Sequence, residues 1–262
     1  FAQEASRQAD IKGKSVPAGT VRAWEHEKSD IQVNSRIHFG SLGNGMRFAW
    51  AHNAEPKERV YVRLHVDAGS FGEQDMEVGM AHFLEHMAFN GSAHFEAGTL
   101  IEWFQENGMS FGADTNAHTA FSETVYKLDL PNNDEGTIRD GFRVLRDFAS
   151  ELDLLNEEVQ AEKGVIDGEE RERDSAGFRA LEERLNRQYA GTLYSTRMPI
   201  GAKEVRDQFN DKNVRAFYER WYRPENMTLV VVGDLNGLDP EPLIHELFDD
   251  MEERIGDVYT ED

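Results

Sequence analysis

The segment Met80-Ala81-His82-Phe83-Leu84-Glu85-His86-Met87-Ala88-Phe89 constrains this chain more than any other. It reads as a helix that is apolar apart from His82, Glu85 and His86. Those three fall at i, i+3 and i+4 and therefore project from one face. Phe83, Leu84, Met87 and Phe89 bury the remaining sides. Two imidazoles one turn apart can grip one Zn²⁺, and Glu85 between them can reach water held by the metal. A plain polar surface stripe has the same spacing, so the pattern needs a third ligand to become a metal site.

The segment Glu162-Lys163-Gly164-Val165-Ile166-Asp167-Gly168-Glu169-Glu170 offers two. Glu162 and Glu169 are seven residues apart, two helical turns, and share a face. One of them can bind the metal while the other supports a histidine ligand or the water. The spacing alone does not say which. Glu157, Glu158, Glu170 and Glu172 read as ordinary solvated acids.

Around these segments the periodicity mixes strands with helices. Val60, Val62, Leu64 and Val66 alternate with Tyr61, Arg63 and His65, which predicts a half-buried strand over 60–66. Further strands are expected at 46–51, 109–113, 123–130 and 227–232. Helices are expected at 80–89, at 99–106 (stopped by Asn107-Gly108), after a cap at Asn133 or Asp134, at 156–169, 177–189 and 211–221, and after Asp239-Pro240. No regular βαβ alternation is present. This predicts an α+β layer sandwich, a mostly antiparallel sheet packed by helices. Residues 1–35 are polar, contain Gly, Pro and Ser, and read as an extended leader before a domain at 36–262.

Composition removes several functions. Lys and Arg number 28 against 50 Asp and Glu, a net charge of −22 that repels nucleic acid phosphates. There are no cysteines, so disulfides, thiolate metal sites and cysteine nucleophiles are excluded. No apolar run approaches the ~20 residues of a membrane-spanning helix. The first residue is Phe1, not Met, and Phe1-Ala2-Gln3-Glu4-Ala5 resembles the tail of a secretory signal cleaved after Ala2.

H-x-x-E-H is the inverted zincin motif. Its surroundings, His82 to Ser92, resemble the signature helix and turn of the insulinase/pitrilysin (M16) peptidases. Phe111-Gly112-Ala113-Asp114-Thr115-Asn116-Ala117-His118-Thr119 is similar to the family's substrate-side strand. Thr124-Val125-Tyr126, Tyr218 with Trp221-Tyr222-Arg223-Pro224, and Val232-Gly233-Asp234 fit the same domain in the same order. The resemblance runs from about Arg36 to Met251 and is greatest to bacterial periplasmic members.

It implies a zinc-dependent endopeptidase with His82, His86 and Glu169 as ligands, Glu85 as general base and Glu162 as the supporting acid. It also implies an unfolded peptide substrate added as a strand near Phe111, Gly112, Ala113 and Asn116. Active family members combine two or four domains of this fold. Partner domains, in the same protein or another chain, supply an Arg and a Tyr for the substrate carbonyl. A periplasmic location is implied as well. The S-ribosylhomocysteine lyases share the motif but use a cysteine, which this chain lacks. A non-catalytic M16 homologue serving as a peptide-binding or scaffold subunit is the alternative.

Overall fold

A computed structural model describes residues 22–110 and 112–252. The suggested signal remnant, most of the leader and Phe111 lie outside the described residues. Within the leader's last part, Glu25–Lys28 form a single 3-10 turn. The preceding Trp24 packs edgewise on Phe39, with ring centroids 4.8 Å apart.

Among the described residues, six strands form one sheet: β1 (His38–Ser41), β2 (Arg47–His52), β3 (Val60–Val66), β4 (Thr115–Thr119), β5 (Thr124–Leu130) and β6 (Met227–Gly233). Their order is β1-β2-β6-β3-β5-β4, which leaves β1 and β4 as edges. Only the β2–β6 pair is parallel. Alternation does the sorting of faces. Val60, Val62, Leu64 and Val66 are fully buried, and so are their cross-strand neighbours Leu128, Tyr126, Val231 and Leu229. The intervening residues are half-buried on the other face, where Arg63 pairs with Asp129 at 2.6 Å.

Helices α1 (Met80–Met87) and α3 (Glu135–Ser150) pack on the sheet; α2 (Thr99–Glu106), α4 (Asn156–Arg173), α5 (Ala176–Gln188), α6 (Lys203–Arg206), α7 (Asp211–Trp221) and α8 (Glu241–Phe248) complete the set. The cap of α3 is Asp134, whose side chain accepts hydrogen bonds from the Thr137 backbone at 2.9 Å and hydroxyl at 2.8 Å. Asp239 receives the Glu241 backbone N–H at 3.0 Å before α8. The architecture is the expected α+β layered sheet, mostly antiparallel and packed by helices.

Three local expectations change. The strand expected at 109–113 is a turn, because the Ser110 carbonyl accepts from Ala113, Asp114 and Thr115 and Gly112 takes φ +91°. The strand begins at Thr115 instead. Helix α4 runs on to Arg173, so Glu169 sits inside it rather than at its end. Strand β1 was not anticipated; it is four half-buried or exposed residues, and Gly40 leaves room for the Phe48 ring that lies against it.

Candidate metal centre

Helix α1 begins in a place only glycine tolerates. Gly79 has φ +95°, and a Cβ there would come within 2.8 Å of the Gly201 Cα. The orphan amides at this end are taken by a distant carboxylate. Glu73 accepts from Gly79 N at 3.0 Å and from Ala81 N at 2.9 Å. Burial pushes Glu73 up to about 8, against the pull of those two bonds and of Arg197. No sequence pattern singled out Glu73; its six- and eight-residue spacings to those amides fit no local capping motif.

The motif face of α1 meets α4. The Glu169 Oε2 atom lies 3.4 Å from His82 Nε2 and 3.4 Å from His86 Nε2. One donor atom from each of the three residues falls within 4.8 Å of the others. Bonds of 2.0–2.1 Å at a tetrahedral angle require donors about 3.3 Å apart. The Glu169 Oε2 atom is buried without a hydrogen-bond partner, whereas Oε1 is held by Arg173 at 2.5 Å. The three side chains therefore fit a zinc ion, with one carboxylate oxygen reserved for it.

Glu162 sits on the outer side of the same ring. Its Oε1 is 2.7 Å from His86 Nδ1, and its Oε2 accepts from Asn90 Nδ2 at 2.6 Å. The carboxylate calls for a proton on Nδ1, so the neutral ring would carry its lone pair on Nε2, facing Glu169. His82 has no such partner: its Nδ1 is buried and unbonded.

The charges follow from these contacts. Burial lowers the His86 pKa, but the carboxylates of Glu162, hydrogen-bonded to Nδ1, and of Glu169, facing Nε2, outweigh it and raise it to about 9. Burial and the neighbouring His86 hold His82 far below the usual histidine range. The neighbouring His86 holds Glu169 low, so it is ionised at neutral pH.

Glu85 completes the motif face. It is buried, which raises its pKa, while the Thr119 hydroxyl donates to its Oε2 at 2.5 Å and opposes that rise. Thr119 is the last residue of edge strand β4, so this bond ties the sheet edge to the carboxylate. Of the residues expected to meet substrate, Asn116 is exposed on β4 and its side chain bonds Gly112 O at 3.4 Å. Gly112 and Ala113 lie in the turn that leads into the strand. Sequence reasoning brought His82, Glu85, His86, Glu162 and Glu169 to one place; it missed Thr119, Asn90, Arg173 and Glu73.

A second cluster joins His94, Asp147 and Glu151. Here the polar atoms already have partners: Asp147 accepts from Ser92 Oγ at 2.7 Å and lies 2.7 Å from His94 Nδ1. It anchors the loop after α1.

Comparison with known proteins identifies the family. Residues 48–197 match the model of the insulinase family, peptidase family M16. Residues 208–259 match the peptidase M16 inactive domain. The probable zinc protease PqqL of Haemophilus influenzae is 38% identical over 208 residues, covering 79% of this chain and 22% of that protein. The crystal structure of the first half of the periplasmic protease PqqL from Escherichia coli superposes with a TM-score of 0.81 at 33% identity, covering 89% of this chain and 51% of that one. The ferredoxin protease FusC, solved with Arabidopsis ferredoxin, gives a TM-score of 0.76 at 30% identity, covering 82% of this chain and 24% of that one. The chain spans about a fifth of the length of the curated relatives it matches.

Proposed function

This chain belongs to the insulinase (M16) peptidase family, and on that premise we propose that it is the catalytic domain of a zinc-dependent endopeptidase acting on unfolded peptides. The carrying observation is the Glu169 oxygen set 3.4 Å from both Nε2 atoms, beside a buried Glu85.

His82, His86 and Glu169 would hold the zinc. In that position zinc supplies Lewis acidity, polarising a carbonyl and bringing the pKa of water from 15.7 down to roughly 7. Glu85 takes the proton from water as it attacks the scissile carbonyl and hands it to the leaving amine. Burial suits it to this work, since a raised carboxyl pKa approaches the pH of operation. Thr119 restrains its Oε2, and Glu162 keeps His86 in the donor tautomer, itself steadied by Asn90.

Edge strand β4 offers unpaired backbone groups to a peptide, with Gly112, Ala113 and Asn116 at its start. Further M16 domains, in the same protein or a partner chain, would close over that peptide beyond the unit at 36–262. The relatives' greater length supports this. The periplasmic naming of the E. coli relative supports the same compartment here. No helix among the described residues is long and apolar enough to cross a membrane.

The match of 208–259 to the inactive domain favours a second reading, a non-catalytic peptide-binding subunit. Against it, every candidate site residue lies within 48–197. Glu85→Gln in the full-length protein separates the two readings. The expected result is unchanged zinc content with cleavage of a quenched fluorescent peptide reduced at least about 10²-fold. Turnover that survives the substitution in protease-free preparations removes the general-base role. A wild-type protein that binds zinc and peptide yet cleaves nothing establishes the subunit reading.

A further inference from the structure

Four aromatic rings gather at the end of β4. Phe71, Phe121 and Tyr194 are mutual neighbours, with centroids 5.0 Å (Phe71–Phe121), 4.7 Å (Phe71–Tyr194) and 4.8 Å (Phe121–Tyr194) apart. Tyr189 extends the group at 5.2 Å from Tyr194. Both tyrosines remain open to solvent, at 40% for Tyr194 and 37% for Tyr189. Single exposed aromatics are ordinary, but a contiguous patch of rings marks a binding surface.

The patch is held rigidly from three stretches of chain. Ser70 N donates to Ala120 O at 3.1 Å and Phe71 N to Phe121 O at 2.8 Å. The Ser70 hydroxyl donates to Arg197 O at 2.6 Å, which ties in the stretch bearing Tyr194. Arg197 continues to Glu73 O at 3.2 Å and Asp75 Oδ1 at 2.5 Å. Rings fixed in this way lose little entropy when a ligand arrives.

Position gives the patch its meaning. Phe121 is two residues beyond Thr119, whose hydroxyl bonds Glu85. Ala120 and Phe121 lie in the turn that joins β4 to β5, closed by Ala120 N donating to Glu123 O at 2.8 Å, and two residues of chain reach no further than about 7 Å. Among the described residues β4 has no strand on its outer side. A peptide paired along that edge, with its scissile bond at Glu85, therefore carries a side chain to the rings within two or three residues of the cut. Ring edges and faces at 4.7–5.2 Å spacing accept another aromatic ring in the same packing.

We propose that Phe71, Phe121, Tyr194 and Tyr189 form a specificity subsite for an aromatic side chain of the peptide, two or three residues from the scissile bond. The inference rests on the peptidase reading for the location of the cut, but the subsite itself is a binding property.

The test uses the zinc-loaded full-length protein carrying Glu85→Gln, so that peptides bind without turnover. Fluorescently labelled 15-residue peptides of one polar background, each with a single Phe or Ser at a scanned position, are titrated by anisotropy. Phe is expected to bind about tenfold more tightly than Ser at one position, or ~1.4 kcal/mol, two or three residues from the bond that the wild-type protein cuts. Adding Tyr194→Ala with Phe121→Leu should bring that preference below about twofold and leave the Ser peptide's Kd unchanged. Tyr194→Phe alone should keep it. Unchanged zinc content and thermal midpoint establish that the double variant is folded; if it is not, Tyr194→Ala alone, at an exposed ring, is read the same way. Equal binding of Phe and Ser at every position overturns the subsite, as does a preference that survives the variants. A preference that depends on the rings while the wild type cuts nothing refutes the peptidase reading and retains the subsite as a peptide-binding site.

Discussion

Glu162 and Glu169 look alike in sequence, yet the structure assigns them opposite sides of His86, and this makes their substitution by Gln decisive. Glu162 touches Nδ1 at 2.7 Å, away from the metal position. Glu169 faces both Nε2 atoms at 3.4 Å. Glu162→Gln can keep its oxygen as acceptor at the imidazole N–H, but it loses the charge and sets its NH2 against the Asn90 amide that Oε2 had accepted from. Loss of such an outer partner typically costs 10–100-fold in metal affinity, or ~1.4–2.7 kcal/mol; retention of the hydrogen bond places Glu162→Gln near the lower end. Glu169→Gln takes the charge from one of the three proposed ligands and leaves Arg173 without its partner. Its loss should exceed that of Glu162→Gln by at least about tenfold. The assay is competition for zinc against a chromophoric chelator at one pH, run on folded wild type and both variants. Weaker binding by Glu162→Gln than by Glu169→Gln would show that the ligand assignment is reversed.

Three further outcomes are expected. Thr119→Val should lower kcat about 10–100-fold, the worth of a hydrogen bond to a charged group, with zinc content unchanged and Thr119→Ser restoring most of the activity; a loss expressed in KM alone contradicts a positioning role for the hydroxyl. His86 holds a proton up to about pH 9 without metal, and ligands must be deprotonated, so zinc uptake at pH 7 should release about one proton, fading to none above pH 9, as read by calorimetry in buffers of different ionisation enthalpy. Because that pKa is raised in the folded state, its contribution to the metal-free protein's stability is complete below about 6.5 and lost as pH rises through 9; Glu162→Gln should flatten the decline. Gly79→Ala should cost about 1–3 kcal/mol, because an αL backbone and a Cβ 2.8 Å from Gly201 Cα must both be accommodated; an unchanged Tm refutes the argument.

The fold was readable where one physical signal dominated. Strand β3 has the bounds that its alternation predicts, because Val60, Val62, Leu64 and Val66 all enter the core and no competing period exists. Helix α2 stops at Glu106 before Asn107-Gly108, as the stop signal requires. The stretch 109–113 misled because Met109 is buried like a strand residue, while Ser110 and Asp114 close a turn whose bond lies between Ser110 N and Asp114 Oδ2 at 2.9 Å. Strand β1 escaped notice because its pairing with β2, not its own composition, makes it a strand.

The site divides along a related line. His82, Glu85 and His86 were legible because one helix fixes their mutual direction, and no tertiary information is needed to aim three side chains spaced i, i+3 and i+4. Glu162 and Glu169 were legible only as a pair. Their shared face is a local property, but which of them meets Nε2 depends on how α4 crosses α1, and that is set by the whole core. Thr119 and Asn90 act through bonds that close only after both partners are placed: Thr119 is 34 residues from Glu85, and Asn90 is 72 from Glu162. Arg173 is the instructive exception. It is four residues from Glu169, a spacing that any helix brings together, yet its effect is to occupy Oε1 and leave Oε2 as the oxygen proposed for the metal. A local pair thus acquires its chemical meaning from a distant one, since an occupied Oε1 matters only because two imidazoles from α1 stand opposite the other oxygen.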